Sequence, residues 1–163
     1  MKNSATILGL SLMLSLAAAS VSAAPLVTPS LSIAAPLSTV KSGQEVRVDI
    51  NITNGSNKAI PLAAAVGKGN AEFDYDVKVT RKDGRPVERT QYGLSLVGAG
   101  TLPVRASKRL IDLQPSESYS DYVVANKIFD MTRPGIYLVQ VEREPVPGMT
   151  GMAQSNSIEV VVH

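Results

Sequence analysis

Residues 45–53 read Glu45-Val46-Arg47-Val48-Asp49-Ile50-Asn51-Ile52-Thr53, and their strict alternation decides the fold class. Val46, Val48, Ile50 and Ile52 fall on one side of an extended chain, and the polar residues fall on the other. Successive strand side chains point to opposite faces, so the stretch predicts a strand with one buried and one wet face. A second alternation follows, in which Phe73, Tyr75, Val77 and Val79 are set against Asp74, Asp76, Lys78 and Thr80. It runs into Asp83-Gly84, a dipeptide suited to tight hairpins because both residues tolerate positive φ. Residues 87–92 then read as the returning strand, so 80–92 is expected to form one hairpin.

Outward from these segments the chain is a string of short strands. Residues 24–35 are rich in Pro, Ser, Ala and Thr, and predict an extended lead-in to an edge strand. Pro25, Pro29 and Pro36 lack ladder donors, which an edge tolerates. Residues 41–44 and 54–57 are turns, 60–66 a short apolar strand, and 67–70 a glycine loop. Further strands are expected near 109–113, 119–124, 136–141 and 158–162. No segment carries a helical stripe, and turns recur every ten residues or so, which predicts a single sandwich or barrel.

One local pattern selects the sandwich. Asp130-Met131-Thr132-Arg133-Pro134-Gly135-Ile136-Tyr137 brings a tyrosine into a penultimate strand just after a tight turn. It resembles the tyrosine corner of immunoglobulin-like domains, where the phenol bonds back to the backbone. Val139 stands where disulfide-bearing relatives place their second cysteine. Ordinary core packing of Tyr137 is the alternative reading. The strand into Asn54-Gly55-Ser56-Asn57-Lys58-Ala59-Ile60-Pro61-Leu62, the run from Phe73 through Asp83-Gly84, Leu113-Gln114-Pro115-Ser116-Glu117 and Pro134-Gly135-Ile136-Tyr137 occur in order. Together they resemble the intracellular proteinase inhibitor (BsuPI) type of immunoglobulin-like domain over about 41–142. The ending Ser155-Asn156-Ser157-Ile158 is shared with secreted bacterial proteins of similar type. The resemblance implies an antiparallel β-sandwich and, more distantly, protease inhibition. Ser116 departs from it, standing where a glycine is usual, and the stretch 93–107 is long for it.

The first 23 residues read as an export signal. Lys2 precedes an apolar run through Leu8, Leu10, Leu12, Met13, Leu14 and Leu16, and Val21-Ser22-Ala23 offers small residues for cleavage. The run falls short of the roughly 20 residues of a membrane span. The 140 residues that remain suffice for one domain with its own core. The chain has no cysteine, which fits a bacterial exported protein better than a disulfide scaffold. Without Lys2, 15 basic residues face 14 acidic ones, a net charge of +1. Intermixed charge of this kind argues against a nucleic-acid surface, and no polybasic tract points to membranes. Aromatic residues are 4% of the chain, without tryptophan, so stacking platforms are scarce.

Residue types for chemistry are equally scarce. The single histidine, His163, is terminal, so thiol and histidine chemistry have no candidates. Ser38-Thr39-Val40-Lys41 spells a nucleophile-and-lysine motif, but extended geometry would part the two side chains. Gly67-Lys68-Gly69 lacks the rest of a phosphate loop. Asn51-Ile52-Thr53 and Asn54-Gly55-Ser56 match the glycosylation pattern, the second being better explained as a turn. Glu72, Asp74 and Asp76 would share one strand face, where alternation predicts a solvated edge ahead of a calcium or acid–base site.

The stretch 93–107 is the one place that fold economy does not dictate. It is glycine-rich, apolar, and contains Lys or Arg only at its end. Long loops of this kind either bind or plug an open sandwich end. Read as a binding loop, it nominates Tyr92, Leu94, Leu96, Val97, Leu102 and Arg105 as partner contacts.

The expectation is an all-β, single immunoglobulin-like antiparallel β-sandwich of about seven to nine strands. It comprises a cleaved signal peptide (1–23), an extended lead-in and edge strand (24–40) and the sandwich itself (41–163). Its function is expected to be non-enzymatic binding of a protein partner in the periplasm or outside the cell. No catalytic, cofactor or metal residue is nominated, and protease inhibition is the alternative.

Overall fold

The computed structural model describes residues 29–98, 106–144 and 152–163, and in it the deciding stretch forms the strand its pattern demands. The strands are β1 (Ser30–Ala34), β2 (Thr39–Val40), β3 (Arg47–Thr53), β4 (Ile60–Ala65), β5 (Asp76–Arg81), β6 (Lys108–Leu113), β7 (Ser118–Val124), β8 (Gly135–Arg143), β9 (Ala153–Gln154) and β10 (Ile158–Val162). Two short helices, α1 (Gln91–Leu96) and α2 (Ala125–Ile128), and a 3-10 turn at Ala71–Phe73 lie among them. Strands make up 47% of the described residues and helical turns 11%, an all-β chain of several sheets. The expected signal peptide and the start of the lead-in lie outside the described residues. No described helix is long and apolar enough to cross a membrane.

One sheet has the order β1-β3-β7, the other β2-β10-β8-β5 with β9 on β8, and β4 and β6 form a separate ribbon. The alternating residues of β3, Val48, Ile50 and Ile52, are all buried. They join Val77 and Val79 of β5, Tyr137, Val139 and Val141 of β8 and Val160 and Val162 of β10 in one apolar cluster. That cluster is the layer between the two main sheets. Each such valine or isoleucine contributes about 1.5–3 kcal/mol by leaving water, which is why the register of β3 cannot slip.

Three expectations about the strands need correction. The pairing is not wholly antiparallel, because β2 runs parallel to β10. The described strands number ten, two of them only two residues long (β2 and β9), against the expected seven to nine. The hairpin across 80–92 does not form. Gly84 does take φ +80° and donates its N–H to the Arg81 carbonyl at 3.0 Å, so the turn is real. Beyond it, β5 pairs with β8 instead, Val79 opposite Val139. Asp83 holds the N–H of Arg85 at 3.1 Å, and Pro86 offers no ladder donor, so the chain leaves the sheet. The turn dipeptide specifies local φ only.

Side chains then lock the corners. The Tyr137 hydroxyl donates to the Arg133 carbonyl at 2.7 Å, the bond expected of a tyrosine corner, and its ring is fully buried. Asn54 is completely buried, its amide donating to the carbonyls of Lys58 and Leu113, each at 2.8 Å. Both amide hydrogens are therefore in use, and folded Asn54 cannot accept a glycan. Asn156 acts as a strand substitute. Its side chain accepts from the Ile33 N–H at 2.9 Å and donates to the Ile33 carbonyl at 3.0 Å, clipping β1 to the segment before β10. Ser116 sits at φ +64° in the turn that closes with Glu117 N–H on the Gln114 carbonyl.

Candidate functional site

The acidic stretch after the glycine loop does not form the strand face that alternation predicts. Ala71–Phe73 winds into a 3-10 turn, and β5 starts only at Asp76. Asp76 is exposed, but the side chains of Glu72 and Asp74 are each only 1% exposed. Winding points them into the protein, where other elements meet them. Glu72 Oε1 accepts from the Tyr92 hydroxyl at 2.7 Å and from Lys127 Nζ at 3.0 Å. Asp74 Oδ2 takes the N–H of Ala65 at 2.6 Å, and Lys108 Nζ lies 3.2 Å from its Oδ1.

The expected apolar loop at 93–107 is also different in its first part. Residues 91–96 form α1 because Thr90 caps it, its hydroxyl oxygen accepting the Gly93 N–H at 3.0 Å. The Thr90 hydroxyl also donates to the Lys127 carbonyl at 2.6 Å, pinning α1 to α2. Gly93 is required by closeness: a Cβ there would sit 2.1 Å from the Ile128 carbonyl oxygen. Of the nominated partner contacts, Tyr92 and Leu96 pack partly buried against the core, Leu94 is half-buried, and Val97 is exposed. Leu102 and Arg105 lie outside the described residues.

Between α1, the 3-10 turn and the end of β8 is an open groove of about 600 Å³. Leu96, Val97 and Met152 belong to its apolar part, and Glu72, Tyr75, Arg143 and the side chain of Asp74 are buried polar groups lining it. Arg143 went unremarked in the sequence although the pattern contained it. It continues the inward phase of Tyr137, Val139 and Val141 and is only 6% exposed. Its guanidinium stacks on the Tyr75 ring, 4.8 Å from the centroid, and Nη2 donates to the Ala63 carbonyl.

Polar atoms at this end of the sandwich go without partners. Among the described residues, Glu72 Oε2, Asp74 Oδ1, Tyr75 Oη and Arg143 Nη1 are buried with no hydrogen bond, although Lys108 lies near Asp74 Oδ1. Asp121 Oδ2, beneath the glycine loop, is a further such atom. Buried unsatisfied groups cost about 1–3 kcal/mol each, so three of them lining one groove, Glu72 Oε2, Tyr75 Oη and Arg143 Nη1, depart from core economy. Burial pushes the Tyr75 phenol up to about 12 against the opposing pull of Arg143, so it is a neutral donor at physiological pH. Burial and the Glu72 bond likewise raise Tyr92. For Lys127 desolvation is the largest influence and pulls down, but the bonds to Glu72 and Tyr92 leave it above its ordinary value.

The rim is charged in pairs. Asp76 meets Arg89 at 3.6 Å and Glu142 meets Lys78 at 2.6 Å. No three His, Asp or Glu side chains converge as a metal-holding group among the described residues. The arrangement can offer buried donors and acceptors to a ligand backbone or head group beside an apolar shelf. Set against known proteins, the chain matches no family model and no curated sequence.

Proposed function

We propose that this chain is an exported, non-enzymatic binding module of immunoglobulin-like type that presents the α1–β8 groove to a protein partner. The observation that carries this reading is the groove lined by buried side chains that leave Glu72 Oε2, Tyr75 Oη and Arg143 Nη1 without hydrogen-bond partners among the described residues, beside the exposed Val97 and Met152. Interior packing removes such groups, whereas binding sites keep them, because a ligand can supply the missing hydrogen bonds. The sheet layering and the tyrosine corner support the immunoglobulin-like assignment, and the apolar leader supports export. Protease inhibition through an extended loop gains nothing from residues 91–96, which are helical.

The test places a photo-crosslinking residue at Val97, 56% exposed on the groove, and in a control at Leu37, 54% exposed and not part of it. A partner crosslinked from periplasmic extract or culture fluid through Val97 and not through Leu37 supports the reading. Equal capture at both positions, or inhibition of a protease panel with no Val97 crosslink, refutes it.

A further inference from the structure

Charge accounting in the groove narrows the ligand. Of the five acidic residues lining the groove, Glu72, Asp74, Asp76 and Glu142 each have a cation within 4 Å, respectively Lys127, Lys108, Arg89 and Lys78, and Glu144 has none among the described residues. Arg143 has none of the reverse kind. No carboxylate lies within ion-pair distance of it among the described residues, which hold all 14 acidic residues of the chain. A guanidinium is always charged, and a buried charge without a counter-ion is costly to a fold. Its orientation is nonetheless fixed, by the Tyr75 ring on its face and the Ala63 carbonyl on Nη2. Among the described residues, Nη1 and the Tyr75 hydroxyl have no hydrogen-bond partner.

Resting on the groove reading above, we propose that the groove captures the C-terminal carboxylate of a partner polypeptide, with Arg143 as its anchor. Arginine suits a carboxylate better than any other side chain because its planar donors match the two oxygens. The rim argues for a chain end. Glu144, without a cation beside it among the described residues, lines the same groove and repels a polyacidic segment, while one buried cation accommodates one carboxylate. A terminal residue places its side chain beside its carboxylate, where Leu96, Val97 and Met152 supply an apolar shelf. The unpaired Oε2 of Glu72 suits an N–H group of the preceding residues.

The experiment measures binding of fluorescein-labelled short peptides with apolar last residues, as three pools. One pool has a free C-terminal carboxylate, one is amidated, and one is amidated with a single internal aspartate. The free-carboxylate pool is expected to bind at least about tenfold more tightly than either other pool, the worth of a charge-assisted pair. Arg143→Gln is expected to erase that preference with folding intact by circular dichroism. Should that variant not fold, arginine guanidinium resonances of the ¹⁵N-labelled wild type are expected to shift with the free-carboxylate pool only. Equal binding of all pools, or preference for the internal aspartate, overturns the chain-end anchor and leaves the groove standing. No binding of any pool alongside a Val97 crosslink does the same, and loss of both removes the groove as well.

Discussion

Substituting Gly93 with alanine sets two physical rules against each other. In an ordinary exposed helix, Gly→Ala stabilises by up to about 1 kcal/mol. In α1 the new methyl would lie 2.1 Å from the Ile128 carbonyl oxygen, 3.0 Å from its carbon and 3.2 Å from Ile128 Cγ2. Heavy atoms pack near 3.5 Å, so the helix must retreat by about 1 Å or more. The carbonyl cannot give way cheaply, because it already accepts the Thr90 N–H at 2.9 Å. Overpacking of this kind costs about 1–3 kcal/mol, which outweighs the propensity gain. A net loss of about 1–2 kcal/mol is expected, read as a fall in urea midpoint and of roughly 3–8 °C in melting temperature. The retreat would also part the Tyr92 hydroxyl from Glu72, now 2.7 Å away, and so alter the groove wall. An unchanged or raised midpoint would show that α1 is not held against α2 and that the groove has no fixed wall on that side.

The other expectations concern single groups whose surroundings decide the sign. Ser116→Gly is expected to stabilise by about 0.5–1 kcal/mol, since φ +64° is strained for serine and free for glycine, and a lowered urea midpoint would contradict the turn geometry. Tyr137→Phe removes the 2.7 Å bond to the Arg133 carbonyl and is expected to cost about 1–3 kcal/mol, while a variant as stable as wild type would mean that the corner holds nothing. Tyr75 ionises near pH 10 when unfolded and near 12 when folded, so folding favours its protonated form. Its contribution is complete below pH 10 and drains away between pH 10 and 12, by about 2–3 kcal/mol, in wild type and not in Tyr75→Phe. Parallel alkaline denaturation profiles for the two proteins would refute its burial.

Local patterning alone specifies the strands that have one wet face. Alternation in 45–53 and again in 75–79 is a local record of which side leaves water, and it holds wherever the chain is extended. The turns at Gly43, Gly67, Gly69 and Gly84 were legible for the same reason, because positive φ is a property of one residue. Tyr137 was legible because its acceptor, the Arg133 carbonyl, is only four residues away. Packing between distant segments sets the rest. Which strand β5 pairs with depends on β8, more than fifty residues downstream (Arg81 opposite Tyr137), and the Asp83-Gly84 turn has no information about it. The 3-10 turn at Ala71–Phe73 shifted Glu72 and Asp74 from the expected wet face into the interior, where Lys127 and Lys108 meet them. The groove follows from the same cause. Glu72, Tyr75, Leu96 and Arg143 span more than seventy residues of chain, and only the packing of α1 and the ends of β5 and β8 brings them to one wall. Period-2 reading places Arg143 inward, but that no described carboxylate comes within ion-pair distance of it is a fact of three dimensions, because counter-ions are set by distance through space.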